Sequence, residues 1–198
     1  MKKRQKMKFG ISFVSLLILL SLILTRSYLS LAALVAAALH ECGHIIAAKL
    51  CGIPLVDMRL GIFGATLTTD RALCSYGKEI LLASAGPAAN LLCLALCSLL
   101  HVECEAIELF CVASWGLAIL NLLPIRELDG GRIVYCALAS TFSPSLASRV
   151  VGALSFGIIF SLWALSVYLI LRLGASLSLF VFSSALFCKT FLSSRDGF

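Results

Sequence analysis

The chain has 198 residues, of which 61% are hydrophobic and 13% charged, a composition too apolar for a soluble domain of this length. Its net charge of +6 does not indicate nucleic-acid binding, because a basic cluster precedes the first apolar run, a pattern that sets membrane topology and contacts anionic lipid. The sequence predicts an all-α polytopic membrane protein, folded as one domain over residues 1–198. The basic cluster comprises Lys2, Lys3, Arg4, Lys6 and Lys8.

Six apolar runs predict about six transmembrane helices. The first, residues 9–24, is read as an uncleaved helix, because no A-x-A-like cleavage site follows it. The second, residues 28–48, ends before Gly52 and Pro54, which stop a helix. The remaining four runs are residues 80–100, 106–123, 150–171 and 175–187, of which the last is short.

Residues 53–76 form the least hydrophobic stretch. Alternation of apolar Val56, Met58 and Leu60 with Asp57 and Arg59 is a weak signal for a strand. The expectation is a short β element at the membrane surface after the second helix, and an irregular loop is an equally good reading. If it forms, the strand would offer a free edge to an extended peptide.

Residues 40–44 read His-Glu-Cys-Gly-His, which is the H-E-x-x-H spacing. On a helix, His40 and His44 lie on one face one turn apart, so both imidazoles can bind one Zn²⁺. Glu41 stands beside the first ligand, where it can take a proton from a water molecule. Ionisable groups inside an apolar run indicate function, because hydrocarbon is a costly environment for them.

A catalytic zinc site usually has a third protein ligand, and Asp129 is the best-placed candidate. It follows Pro124, which breaks a helix, and precedes Gly130-Gly131. Irregular backbone at membrane depth is tolerated where it is buried in protein or lines a cavity. The other carboxylates remain open as candidates: Asp57, Asp70, Glu79, Glu103, Glu105, Glu108 and Glu127.

The third apolar run contains Gly86-Pro87-Ala88-Ala89-Asn90. One interpretation is a tolerated kink with an interhelical hydrogen bond from Asn90, and the other is an amide directed at the active site. The residues alone favour neither interpretation.

Taken together, three motifs resemble those of the site-2 protease family of intramembrane zinc metalloproteases. H-E-C-G-H resembles the family's H-E-x-G-H helix, G-P-A-A-N its G-P-x-x-N helix, and N-L-L-P-I-R-E-L-D-G-G its N-x-x-P-x-x-x-L-D-G element. The motifs occur in the family's order within residues 28–140. The compact six-helix plan, the small size and the lack of a PDZ-like domain look most like the bacterial sporulation-type branch. The charged pair Arg126-Glu127 departs from the more apolar stretch expected there.

The resemblance implies His40, His44 and Asp129 as ligands of one zinc ion and Glu41 as the catalytic base. It implies that Asn90 and Asn121 hold the substrate or its oxyanion. The implied activity is hydrolysis of a peptide bond in or near a transmembrane segment of a membrane-tethered protein, such as a transcription-factor precursor. The alternative is a non-catalytic transporter or scaffold.

Charge distribution predicts the orientation. With six crossings and a cytosolic amino terminus, fourteen of the sixteen Lys and Arg residues fall inside, and only Arg26 and Arg172 fall outside. The expected location is a bacterial cell membrane, and the expected partners are the lipid bilayer, a membrane-tethered substrate and regulatory membrane proteins, with no nucleic acid.

Overall fold

The computed structural model describes residues 8–11, 27–53, 55–61, 64–69, 75–100, 104–174 and 177–196. The chain divides into two compact units, Met1–Leu120 and Asn121–Phe198. In chain order, the elements within the described ranges are β1 (Lys8–Ile11), α1 (Tyr28–Leu50), β2 (Leu55–Gly61), β3 (Gly64–Thr69), α2 (Tyr76–Leu99), α3 (Glu105–Leu122), α4 (Asp129–Thr141), α5 (Pro144–Leu173) and α6 (Ser178–Asp196).

Among the described helices, α1, α2, α3 and α5 are long and apolar enough to cross a membrane, judged by length and composition. They correspond to the second to fifth predicted runs. Helix α6 contains a shorter apolar segment, Leu179–Thr190, where the short sixth run was predicted. The described residues thus support an integral membrane protein with four candidate spans.

The first predicted helix, residues 9–24, can be compared with the structure at residues 9–11, and there the two differ. Phe9–Ile11 lie in β1, so the prediction of a helix beginning at Phe9 is wrong, and residues 12–26 lie outside the described ranges. The physical reason is tertiary. Pairing with β2 satisfies the backbone of this segment, and Gly10 has a low helix propensity.

Residues 53–76 contain two strands that pair with β1 in one sheet of order β1-β2-β3. Strands β2 and β3 are antiparallel, with Met58 opposite Leu67, whereas β1 runs parallel to β2, with Phe9 opposite Met58. Strand β2 is therefore central. The expectation that residues 56–60 offer a free edge is wrong, because β1 occupies that edge.

Helix α1 ends in a Schellman motif. The Gly52 N–H donates to the Lys49 carbonyl at 3.2 Å and the Ile53 N–H donates to the Ala48 carbonyl at 2.9 Å, with Gly52 at φ 63°. These two bonds satisfy carbonyls that the helix end would leave unpaired. Ile53 then packs with Ala47, Ala48 and Leu82 in a buried cluster, which joins the end of α1 to α2.

In the second unit, α5 pairs with α4 on one side and with α6 on another. Phe156 contacts Phe187, and Trp163 contacts Phe180, each with ring centroids 6.1 Å apart. From the first contact to the second, the residue number rises along α5 and falls along α6, so these two helices run antiparallel. Val151 and Ile159 on α5 and Leu186 on α6 are buried.

Candidate metal centre

Two histidine rings on α1 meet as the H-E-x-x-H spacing predicts. The Nε2 atoms of His40 and His44 lie 3.2 Å apart, and the rings are buried, with exposures of 4% and 6%. Two nitrogens bound tetrahedrally at 2.0–2.1 Å to one zinc ion would lie about 3.3 Å apart. The nitrogen spacing therefore fits two ligands of a single Zn²⁺.

The His44 ring is oriented by a second helix. Its Nδ1 lies 2.8 Å from the Leu82 carbonyl oxygen on α2. A carbonyl oxygen only accepts, so Nδ1–H is the donor, and the neutral ring carries its lone pair on Nε2. Metal-binding histidines commonly donate their other ring N–H in this way, which fixes the tautomer and raises the basicity of the ligand nitrogen.

Glycine allows α2 to pass close to the histidine pair. A Cβ atom at Gly86 would lie 2.6 Å from the His40 Nε2 and closer still to the His44 Nε2. A Cβ at Gly43 of α1 would overlap the Ala85 carbonyl of α2. Small residues let the two backbones approach, as is common between membrane helices, and the space beside both ligand nitrogens stays open.

Asp129 is the first residue of α4 and is half-buried. His40 and His44 lie in the first unit and Asp129 in the second, and each of the three offers one atom that could bind a metal ion. They are the three residues that the sequence motifs implied as ligands. Two nitrogens and one carboxylate oxygen are a donor set suited to catalytic zinc.

The backbone before and after Asp129 depends on the adjacent glycines. A Cβ at Gly130 would overlap the Leu122 carbonyl, and one at Gly131 would overlap the Ile125 carbonyl. The start of α4 therefore folds back tightly on the preceding turn, which only glycine allows at these two positions.

Glu41 lies on α1 next to His40 and is half-buried, with its Oε2 atom inaccessible to solvent. A carboxylate beside a potential metal ligand can accept a proton from a nearby water molecule. Its position beside the histidine pair is the one that the motif predicted.

The two residues predicted to bind the substrate, Asn90 and Asn121, have different environments. Asn90 on α2 is fully buried, and within the described residues neither its Nδ2 nor its Oδ1 has a hydrogen-bond partner. Asn90 lies one turn beyond Gly86, the residue that passes beside the histidine nitrogens. Asn121 lies in the last turn of α3 and is half-buried.

Other carboxylates that the sequence left open as third ligands have different settings. Glu127 forms an ion pair with Lys189, Glu79 lies in the first turn of α2, and Glu105 and Glu108 lie in the first turn of α3. The side chains of Asp57, Asp70 and Glu103 lie outside the described parts of the chain.

Sequence reasoning missed two contributors to this site. The Leu82 carbonyl, which orients His44, carries no sequence signal, because every residue has a carbonyl. Gly43 does carry one, since a glycine inside a helix motif indicates a close helix approach.

A buried histidine pair, together with four candidate spans among the described residues, indicates a membrane protein with a potential metal site. The fold is more specific. It is similar to that of the Site-2 Protease from Methanocaldococcus jannaschii, with a TM-score of 0.66 over 98% of this chain and 94% of that chain, at 17% sequence identity. No protein-family model matches the chain, and no curated protein matches it. The likeness establishes that this chain has the site-2 protease fold.

Proposed function

We propose that this chain is an intramembrane zinc metalloendopeptidase of the site-2 protease type. The observation that carries the proposal is the buried pair of His40 and His44, whose Nε2 atoms lie 3.2 Å apart, in a fold shared with a site-2 protease. A carboxylate base, Glu41, stands beside the first histidine. A transporter or scaffold would have no need of a base beside a metal ligand.

His40, His44 and Asp129 would hold the zinc ion. When bound, zinc supplies Lewis-acid chemistry, which polarises a carbonyl group and makes a water molecule acidic near neutral pH. Glu41 accepts the proton of the attacking water and donates it to the leaving amine of the cleaved peptide. The apolar helices limit the access of bulk water, so these charges act in a low-dielectric environment.

Asn90 is proposed to bind the substrate backbone. Its side chain offers a donor and an acceptor, which are the two groups that an unwound peptide presents. A buried amide without a partner destabilises the protein by about 1–3 kcal/mol, and a bound peptide would relieve that penalty. Asn121 is proposed to assist at the substrate or its oxyanion.

The position of the histidines along α1 suggests where the cut falls. His40 lies about 13 Å from Lys49 at 1.5 Å per residue, nearer to that end than to Tyr28. Charge asymmetry predicts that the Lys49 end faces the cytosol. The proposed product is therefore a cytosolic fragment of a membrane-tethered protein, as in regulated intramembrane proteolysis of a transcription-factor precursor in the sporulation-type branch.

A proteomic comparison tests the function. Membranes from cells that make the wild-type chain are compared with membranes from cells that make Glu41→Gln, which keeps side-chain size but removes the base. We expect a membrane protein to accumulate uncut with Glu41→Gln, since loss of a general base slows a reaction by about 10²–10⁴-fold. Sequencing the ends of its wild-type fragments should place the cut in the cytosolic half of the span.

Glu105→Gln is the matched control, because Glu105 is exposed at the start of α3, and it should leave the precursor cut as in wild type. Equal membrane proteomes for wild type and Glu41→Gln would reject the enzyme. A cut in the outer half of the span would reject the orientation alone.

A further inference from the structure

Residues 123–128 form the turn that leads into Asp129, and they are called the Asp129 turn. Two short-range backbone bonds shape it, from the Ile125 N–H to the Leu123 carbonyl at 2.7 Å and from the Leu128 N–H to the Ile125 carbonyl at 2.9 Å. The Ile125 side chain is fully buried. These contacts shape the turn, and two further contacts fix it to the helices that follow.

The first of these contacts is a hydrogen bond to α5. The Arg126 N–H donates to the Ser155 Oγ at 2.8 Å, and the Ser155 hydroxyl donates to the Val151 carbonyl at 2.7 Å. Ser155 is fully buried. Its hydroxyl thus accepts from the turn while it donates to its own helix, so both polar groups are satisfied in an apolar setting.

The second contact is the ion pair between the turn and α6. The Lys189 Nζ lies 3.0 Å from the Glu127 Oε2, and the side chains are 38% and 11% exposed. Because the Glu127 carboxylate is mostly buried, removal of Lys189 would leave it without its ion-pair partner, which is unfavourable. The pair therefore holds the middle of the Asp129 turn against α6.

The ion pair also separates two carboxylates that stand two residues apart. Both Glu127 and Asp129 could serve a metal ion by their chemistry. Lys189 engages Glu127, and Asp129 is the carboxylate that could hold a metal ion with the histidines. The charge of Glu127, which departs from the family pattern, thus has a structural partner in this chain.

We propose that Lys189 and Ser155 are positioning residues for the metal ligand Asp129, and that α6 is in this way part of the catalytic apparatus rather than only a packing helix. The inference rests on the proposed metal role of Asp129. Partners outside the ligand set orient ligands, and their loss typically lowers metal affinity or activity by about 10–100-fold.

Zinc affinity of the purified full-length protein tests this proposal. Metal-free wild type, Lys189→Met, Lys189→Arg and Glu127→Gln are each titrated with zinc in competition with a chromophoric chelator. We expect the zinc Kd to rise about 10–100-fold for Lys189→Met and to stay near the wild-type value for Lys189→Arg, which keeps the charge. Glu127→Gln should also raise the Kd. It removes the same ion pair without leaving a buried carboxylate charge, so it serves as the test variant if Lys189→Met fails to fold.

Arg149→Met is the matched control, because Arg149 is an exposed cation on α5 of the same unit, and its zinc Kd should equal that of wild type. The unfolding temperature of each metal-free variant is measured in parallel. An ion pair that served stability alone would lower that temperature and leave the Kd unchanged.

A Kd for both Lys189→Met and Glu127→Gln within twofold of wild type would overturn the positioning role while leaving the proposed enzyme intact. Absence of zinc binding by wild type itself would overturn both. A normal wild-type Kd together with failure to cleave any membrane protein would count against the proposed function alone.

Discussion

The histidine pair and the Asp129 turn position the proposed metal ligands by different structural means. His40 and His44 are four residues apart on one helix, so the helix itself sets the distance between their ligand atoms. Asp129 follows a turn that is held by Ser155 on α5 and by Lys189 on α6. One half of the site is thus specified by local sequence, and the other by packing between distant segments.

This difference has a practical meaning. The four-residue spacing of the histidines tolerates changes elsewhere in the chain, because helix α1 sets it, whereas the orientation of the His44 ring also depends on the Leu82 carbonyl of α2. An arrangement that depends on distant contacts is sensitive to changes at residues that never approach the metal. The two halves should therefore respond differently to substitution, and the three predictions below test that difference.

The largest expected effect comes from removing one ligand of each kind. His44→Ala and Asp129→Asn should each abolish stoichiometric zinc binding, because either leaves two protein ligands where a catalytic site uses three. Metal analysis of the purified variants measures this, alongside circular dichroism to verify that the helices remain. Wild-type zinc content in Asp129→Asn would show that another carboxylate completes the site.

An intermediate effect is expected on the histidine side, where α2 approaches the ligands. Gly86→Ala places a methyl group against both Nε2 atoms, and overpacking of this kind typically costs about 1–3 kcal/mol. We expect a lower unfolding temperature and weaker zinc binding, measured by thermal unfolding with and without zinc.

Gly77→Ala is the control on the same helix, since a Cβ there meets nothing within 4 Å. It should leave zinc binding unchanged and stabilise α2 slightly, because alanine is the better helix former. Equal zinc affinity in Gly86→Ala and Gly77→Ala would contradict the close approach at Gly86.

The smallest expected effect is at the hydrogen bond between the Asp129 turn and α5. Ser155→Ala leaves the Arg126 N–H without its acceptor, which costs about 1–3 kcal/mol, and we expect the zinc Kd to rise about tenfold. Ser161→Ala is the control, because the exposed Ser161 bonds only the Gly157 carbonyl of its own helix. A rise in Kd of the same size in both variants would mean that the effect is not specific to the turn.

The sequence predicted the features that depend on neighbouring residues, but not those that depend on tertiary contact. The histidine spacing, the helix stop at Gly52 and the apolar runs behind α1, α2, α3 and α5 depend on neighbours along the chain, so periodicity and glycine position indicate them. The ion pair of Glu127 with Lys189 depends on tertiary contact, which a single sequence does not encode in any local pattern. For the same reason the residues alone left the third ligand open among several carboxylates.

Strand β1 shows the same limit in the fold. Three of its four residues begin the first apolar run and read locally as the start of a helix, and only the parallel partner β2 makes them a strand. The central position of β2 likewise could not be anticipated, because β2 gains its second neighbour from a segment well before it in the chain.

The parallel pairing of β1 and β2 has a consequence for biosynthesis. Ile11 leaves the ribosome about 50 residues before Gly61, the last residue of β2, so at about 5–20 residues per second β1 waits roughly 2.5–10 s for its partner. During that interval α1 is synthesised, and only afterwards can β1 find its place beside β2. The pairing of β1 with β2 can therefore form only after α1 has been synthesised, while the helices from α2 onward are still to be made.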